Sequence, residues 1–504
     1  MSMSVVRRNV LANYAGQVWV TAMNVIFLPI YIRYIGIEAY GIIGFFVALQ
    51  SLFAILDMGL SATLNRELAR RLDATRDIDD TRDLVRTLEW ICWPTGALIA
   101  LVVWVASGSI AEHWLRPVSL STEQAAGALL LLGLSTALQW PVSFYTGGLA
   151  GLQRQVLLNV LAAVYSTVRS AGAVCVLWLV APTIEAFLWW QVGVSAAQGM
   201  TFALVIWLVL SGGSRAPSFR LRQVKQIGGF AVGITGVTIL SFLLTQTDRI
   251  VLSKILPLDA FGVYAFAASL AFALLRLVQP VVTAAYPRYS QLIAAEDTRA
   301  LVDFYHRTNQ VMSATVLPVT VVVAMFAKEL LWLWTGDEAL SSASAPILAL
   351  LVMGCSLNGL MNLPYALQLA HGWTRLAFWI NVVSVCLVVP GIWIMGREFG
   401  GVGAAFVWLA LNLGYVAIGI PLMHRRLLPT EMSRWYWVDV LPPLAASTGV
   451  GLAWRIAVPG VPNGPTGWVL LLVVLLTTIA ASLVVSSFPR SMLGTWYKNL
   501  RVSK

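Results

Sequence analysis

Ile35–Leu49 reads IGIEAYGIIGFFVAL, and Leu256–Leu270 reads LPLDAFGVYAFAASL. Ala39, Gly41, Phe45 and Leu49 of the first stretch recur as Ala260, Gly262, Phe266 and Leu270, all at one offset of 221 residues. Between them Glu38 becomes Asp259, Tyr40 becomes Phe261 and Ile42 becomes Val263. Downstream, Gly151-x-x-Arg154 matches Gly372-x-x-Arg375 at the same spacing, with Asn159 and Asn381 just after each. The pairs Pro141/Pro364 and Pro94/Pro318 need only small insertions. Several matches at nearly one offset mark a duplicated unit.

Composition sets what the duplicated unit is made of. The 504 residues are 59% hydrophobic and 11% charged, with mean hydropathy +0.79, whereas a soluble globule carries about 25% charged residues. This predicts an all-α polytopic membrane protein. The net charge of +10 does not point to nucleic acid, because the basic residues sit in short segments between apolar runs. Cys92, Cys175, Cys355 and Cys386 each fall inside an apolar run without metal spacing, and read as small buried hydrophobes. Arg7 and Arg8 precede a long first run that carries Asn24, Pro29 and Arg33, so an uncleaved first span is expected rather than a secretory leader.

Apolar runs of roughly 20 residues, enough to cross about 30 Å of hydrocarbon, fall near 11–33, 40–63, 88–110, 124–148, 158–181, 184–210, 227–251, 260–284, 309–328, 345–370, 375–396, 402–424, 438–457 and 467–487. That is about fourteen spans. With the N-terminus cytoplasmic, 24 of the 33 basic residues fall on cytoplasmic segments and 7 outside, with Arg169 and Arg276 within spans; both termini are then cytoplasmic. Spans 1 and 7 are six crossings apart, so both copies of the repeat enter the membrane in the same direction. The expected organisation is two six-helix lobes, 1–215 and 216–428, related by a pseudo-two-fold along the membrane normal with a cleft between them, plus a C-terminal pair and tail, 429–504. The charged segment 64–87 has helical spacing and is expected to lie along the interface with a basic face toward anionic lipid.

Enzymatic signatures are scarce. No Gly-rich loop followed by Lys-Ser/Thr is present to hold ATP, and His113, His306, His371 and His424 are scattered without metal spacing. No aspartate pair on an extramembrane loop suits metal-dependent sugar transfer. Not being an enzyme and needing no cofactor is the expectation, a proton or sodium ion being the candidate coupling ion.

Polar groups within spans are the candidate site. Arg169 lies near mid-depth of span 5, where a guanidinium costs roughly 2.5–3.5 kcal/mol on insertion scales. It is expected to face a watery cavity and meet an anion; the competing reading pairs it with an acid such as Asp57 or Asp248. Arg276 lies near a span end and either shares the anion or snorkels. Asp57 and Asp248 are candidates for ion coupling, since a carboxylate partly removed from water titrates nearer cellular pH; Asp248 beside Arg249 also reads as a local ion pair. Tyr14, Gln17, Asn24, Gln139, Trp140, Gln246, Gln279 and Asn362 suit stacking on and hydrogen-bonding to sugars, or bond between helices.

FLPIYIRYIGIEAYG at the opening, DMGLSATLNRELAR at the exit of span 2, TDRIVLSKILPLDAFGVYAFA at span 7 and KELLWLWTGDE before span 10 resemble the O-antigen or polysaccharide flippases. These belong to the multidrug, oligosaccharidyl-lipid and polysaccharide exporter superfamily. The likeness runs over the first twelve spans. It implies movement of an undecaprenyl-diphosphate-linked oligosaccharide from the cytoplasmic to the outer leaflet of the bacterial inner membrane by alternating access, coupled to an ion gradient. Membrane lipids and other polysaccharide-assembly membrane proteins are the further candidate partners, and nucleic acid is not one. On this reading Arg169 and Arg276 receive the diphosphate. The chain departs from the family in holding only these two arginines within its spans.

The nearest alternative is a cation-coupled drug exporter of the same superfamily, which would favour acidic and aromatic lumen residues. A membrane glycan polymerase or ligase would need a long outer loop carrying catalytic arginines or a histidine, and the outer loops are short. A twelve-span sugar transporter would need a Gly-rich, Asp-Arg basic turn between spans 2 and 3, which is absent.

Overall fold

Helices account for nearly all of the chain, as the composition requires: with no water in the hydrocarbon, every backbone polar group must be satisfied within its own segment. The structure is a computed structural model that describes residues 3–53, 59–72, 78–221 and 245–487. Among these the order is α1 (Met3–Ile26), α2 (Leu28–Ile35), α3 (Ile37–Phe53), α4 (Leu60–Leu72), α5 (Ile78–His113), α6 (Thr122–Gly151), α7 (Gln155–Leu179), α8 (Ile184–Val209) and α9 (245–255). Then follow α10 (Leu258–Ala273), α11 (Leu275–Ala294), α12 (Thr298–Met325), α13 (Ala327–Thr335), α14 (Glu338–Ala370) and α15 (Arg375–Gly414). The chain ends with α16 (Ile420–Leu427), α17 (Met432–Arg434), α18 (Leu441–Ala457) and α19 (Pro465–Val485). Several starts are capped by side chains: Ser121 and Gln124 form a reciprocal capping box on α6, and Asp297 and Asp337 accept from the first turns of α12 and α14.

This is a multi-pass membrane protein. Ten helical stretches among the described residues are long and apolar enough to cross a bilayer. One of them, Arg375–Leu427, is two crossings. It reverses at Gly400, whose φ of 59° and ψ of −141° suit a residue without Cβ. Gly391 then packs on Val407 and Gly419 on Ile380, the pairing of an antiparallel hairpin. Expected span 2 is the shorter α3, and most of expected span 7 lies outside the described residues, as does Asp57.

The chain forms two compact units, Met1–Ala265 and Phe266–Lys504. In the first, the duplicated stretches lie against one another. A Cβ on Gly41 would meet the Leu258 carbonyl at 2.6 Å, a Cβ on Gly262 would strike the Ile37 carbonyl, and a Cβ on Gly44 would stand 2.5 Å from that of Ala265. The α5–α6 connection holds both copies. Glu38 accepts from the Val118 and Ser119 amides (2.5 and 2.8 Å), while Arg116 accepts from the Leu258 amide (2.9 Å).

Segment 64–87 departs from the interfacial helix expected of it. In α4, Leu64 and Leu68 are fully buried, and Gly147, Gly148 and Gly151 of α6 pack on Ser61, Leu64 and Asn65; its apolar face is taken up by protein. Residues from Ile78 onward are the first turns of the 36-residue α5. There Asp79, Asp83 and Thr87, at i, i+4 and i+8 on one helix face, clamp the 214–220 segment. Arg215 and Arg220 each approach Asp83 to 2.5 Å, the Ser218 amide donates to it at 2.8 Å, and the Arg220 amide donates to Thr87 (2.9 Å).

In the second unit α18 and α19 pack on α12, with Gly451 admitting Val321 and Met325 and with Val322, Phe326, Leu471 and Val474 forming an apolar core. Two cysteines depart from the expectation. Cys92 and Cys355 are buried, but Cys175 and Cys386 are exposed on α7 and α15.

Candidate functional site

Arg169 sits on α7 and turns its guanidinium to α8. It donates to Gln191 Oε1 (2.9 Å), Ser195 Oγ (3.2 Å) and Gln198 Oε1 (3.0 Å). Residues 191, 195 and 198 fall at i, i+4 and i+7, one stripe of a helix, which is why a single guanidinium reaches all three. Ser195 is also 2.9 Å from Ser135 of α6, so the network joins three helices. All these partners are neutral. No carboxylate pairs with Arg169 among the described residues, so the pairing with Asp248 weighed from sequence is not formed, while Asp57, the other acid weighed, lies outside them. Tyr31 donates to the carbonyl of the next residue, Ser170 (3.0 Å), and Trp19 to Thr167 (2.9 Å), fixing α7 against α1 and α2.

The remaining candidates do not gather round Arg169. Arg276 and Gln279 are exposed on α11, Gln17 and Asn24 on α1; Gln139 is half-buried and Trp140 buried on α6. Tyr14 falls on α1, but its side chain lies outside the described residues. Asn362 donates to the Asn358 carbonyl (2.8 Å), and Asn358 in turn to Asn412 (2.9 Å), so this amide links α14 to α15. Asp248 takes the Tyr264 hydroxyl (2.5 Å), and among the described residues its second oxygen is buried without a hydrogen-bond partner, as is the Gln246 side-chain oxygen.

Sequence reasoning missed the buried acids. Glu89 receives Tyr145 and Trp207 (2.8 Å each) and Arg86 (2.9 Å). His306 of α12 lies between two carboxylates, Asp439 at Nδ1 (2.5 Å) and Glu431 at Nε2 (2.9 Å), while Gln310 donates to Asp439 (3.0 Å) and Trp435 to Asn309 (2.9 Å). Asp439 lies inside the apolar run 438–457, but His306 sits among Arg299, Asp303 and Arg307, so nothing in the sequence joins the two. Among the described residues no group of three or more His, Cys, Asp or Glu side chains could hold a metal ion.

The model of the family described as polysaccharide biosynthesis protein matches residues 6–293, more than half of the chain. The chain belongs to the polysaccharide biosynthesis protein family. A second model, MatE, matches residues 234–394 of this family member. A putative O-antigen transporter of Shigella flexneri is 22% identical over 81% of the chain and 94% of its own length. The amylovoran biosynthesis protein AmsL of Erwinia amylovora is 23% identical over 71% of the chain and 90% of its own length. Among solved structures, the lipid II flippase MurJ in an inward closed conformation superposes with TM-score 0.69 at 12% identity, over 98% of this chain and all of that one. An inward-facing multidrug resistance MATE family transporter superposes with TM-score 0.61 at 14% identity, over 84% and 96%. The polysaccharide biosynthesis protein described here therefore has the MurJ and MATE fold.

Proposed function

We propose that the protein is a flippase moving an undecaprenyl-diphosphate-linked oligosaccharide, an O-antigen or related repeat unit, from the cytoplasmic to the outer leaflet of the bacterial inner membrane. The observation that carries this is Arg169, a guanidinium within a span whose partners among the described residues are all neutral, an arrangement suited to receiving an anion. Family membership and the likeness to an O-antigen transporter support the same reading. In this reading the lobes 1–215 and 216–428 alternate access, spans 429–504 are an addition to them, both termini are cytoplasmic, and the chain is a transporter rather than an enzyme. Arg169 meets the diphosphate, with Arg276 as a second contact at the span end. The span amides meet sugar. Asp248 is the site for a coupling proton or sodium ion, its unpartnered oxygen supporting that assignment.

The MatE match over 234–394 favours a second reading, a cation-coupled multidrug exporter. Reconstituted vesicles separate the two. Movement of a fluorescent diphosphate-linked oligosaccharide lipid is expected, abolished by Arg169→Ala; movement of a cationic dye instead would replace the flippase reading by the exporter.

A further inference from the structure

The two helices of the α15 hairpin touch at Gly391–Val407 and Gly419–Ile380 but leave space beside these contacts. Between them runs an apolar groove of about 540 Å³, floored by Ser384, Ala410 and Gly414 and walled by Trp379, Val383 and Phe406. Its small floor residues recur at i and i+4 on the returning helix, and Tyr415–Gly419 are wound as a π-helix there, a widening that commonly marks functional sites. The groove extends from Leu376 and Leu422 at one end to Met395 and Phe406 at the other. At 1.5 Å per residue that is about 28 Å along the first helix and about 24 Å along the returning one, most of the hydrocarbon thickness of about 30 Å.

Its Leu376 end is cationic. Arg375, Arg425 and Arg426 are exposed there, none of them paired with an acid among the described residues. The Arg426 guanidinium stacks on Trp373 (4.4 Å to the ring centre), which brings the end of the returning helix beside the turn where the hairpin begins. Arg375 belongs to the repeated Gly-x-x-Arg motif, and the other copy behaves alike. Arg154 stands at the mouth of an apolar groove of about 880 Å³ between α7 and α8. That groove runs only from Gln153 to Val160 along α7, about 10 Å.

We propose that the α15 groove seats the polyprenyl chain of a diphosphate-linked lipid, with Arg375, Arg425 and Arg426 receiving the diphosphate where the lipid docks, ahead of its transfer to Arg169. The assignment rests on the flippase reading above and adds to it a tail site on the membrane-facing side of spans 11 and 12. Length decides between lipids. An ordinary acyl chain belongs to one leaflet, half of the hydrocarbon thickness, and would fill half the groove. A polyprenyl chain can fill all of it. Guanidinium forks suit phosphate oxygens, and three of them suit a diphosphate better than the single charge of a phosphodiester.

The test is photo-labelling of the full-length protein in phosphatidylcholine vesicles with a benzophenone-bearing polyprenyl diphosphate. Label is expected on peptides of 376–395 and 406–422. It should resist excess phosphatidylglycerol and fall by about tenfold or more in Arg375→Gln/Arg425→Gln/Arg426→Gln and in the groove-filling Ala410→Trp. Label spread evenly over membrane-facing helices, or displaced by phosphatidylglycerol, overturns the proposal; the competition uses wild-type protein and so stands even where a variant fails to fold. Wild-type protein that transports the lipid-linked sugar without labelling the hairpin defeats the tail site alone. Labelling without transport defeats the flippase reading and leaves the site.

Discussion

Gly44 and Ala265, equivalent positions of the duplicated stretch, touch each other. The contact of a residue with its own counterpart, flanked by the reciprocal approaches of Gly41 to Leu258 and of Gly262 to Ile37, is what a local two-fold between the motif copies produces. Helix backbones come this close only where side chains are absent, so the glycines are spacers.

Gly44→Leu inserts bulk where a single Cβ already meets Ala265 at 2.5 Å. Overpacking of this kind destabilises by about 1–3 kcal/mol. A lowered melting temperature in detergent is expected, with partial recovery in Gly44→Leu/Ala265→Gly. A double variant no better than the single one would show that the two residues are not coupled.

Arg169→Ala should express and insert normally while losing transport. Arg169→Lys keeps the charge but cannot span Gln191, Ser195 and Gln198 together, and should retain activity reduced by about tenfold. Wild-type flux in Arg169→Ala, measured in vesicles, would make the residue a helix-to-helix tie only.

Asp439→Asn removes one of the two carboxylates around buried His306. Disturbing the acceptor of a buried hydrogen-bond network costs about 1–3 kcal/mol, so α18 and α19 should detach from α12 at lower temperature, seen as faster hydrogen exchange in 441–485 than in α14. Unchanged exchange would show that apolar packing alone holds the pair.

Acid should loosen the same region. Burial alone would raise the Glu431 carboxyl, but hydrogen bonds from Thr430 and His306 and the nearby charges of His306 and Arg434 hold it below its ordinary value of 4.5. A carboxylate so depressed stabilises the fold above that ordinary value and ceases to do so as pH falls through the lower one. Melting temperature should therefore drop below about pH 4.5, and Glu431→Gln should flatten the drop.

The clamp on α5 is open to the same kind of test. Asp83 is fully buried while Arg215 and Arg220 remain partly exposed, so solvent screens the arginines and tempers the cost. Asp83→Asn should destabilise by about 1–3 kcal/mol and expose 214–220 to protease; resistance equal to wild type would count against the clamp.

Much of this architecture was legible because bilayer physics writes itself into sequence as apolar length, and because close helix approach demands glycine in both copies of a repeat. The α15 hairpin was readable as two spans because Arg397 and Glu398 interrupt the run. The buried acids were not readable. Asp79 and Asp83 stand among arginines in a segment that looks like a solvated face, and only the fold of 214–220 onto them makes them interior. Arg169 stands out in the sequence by its depth in a span, but its partners do not, since Gln191, Ser195 and Gln198 lie in an apolar helix where spaced polar residues have many possible neighbours.

The reversal at Gly400 has a practical corollary. Two crossings joined through one glycine leave almost no free chain at that face of the bilayer, so proteases have nothing to cut and an inserted epitope tag nowhere to sit. Mapping of sidedness must take its reporters from longer connections such as 114–121.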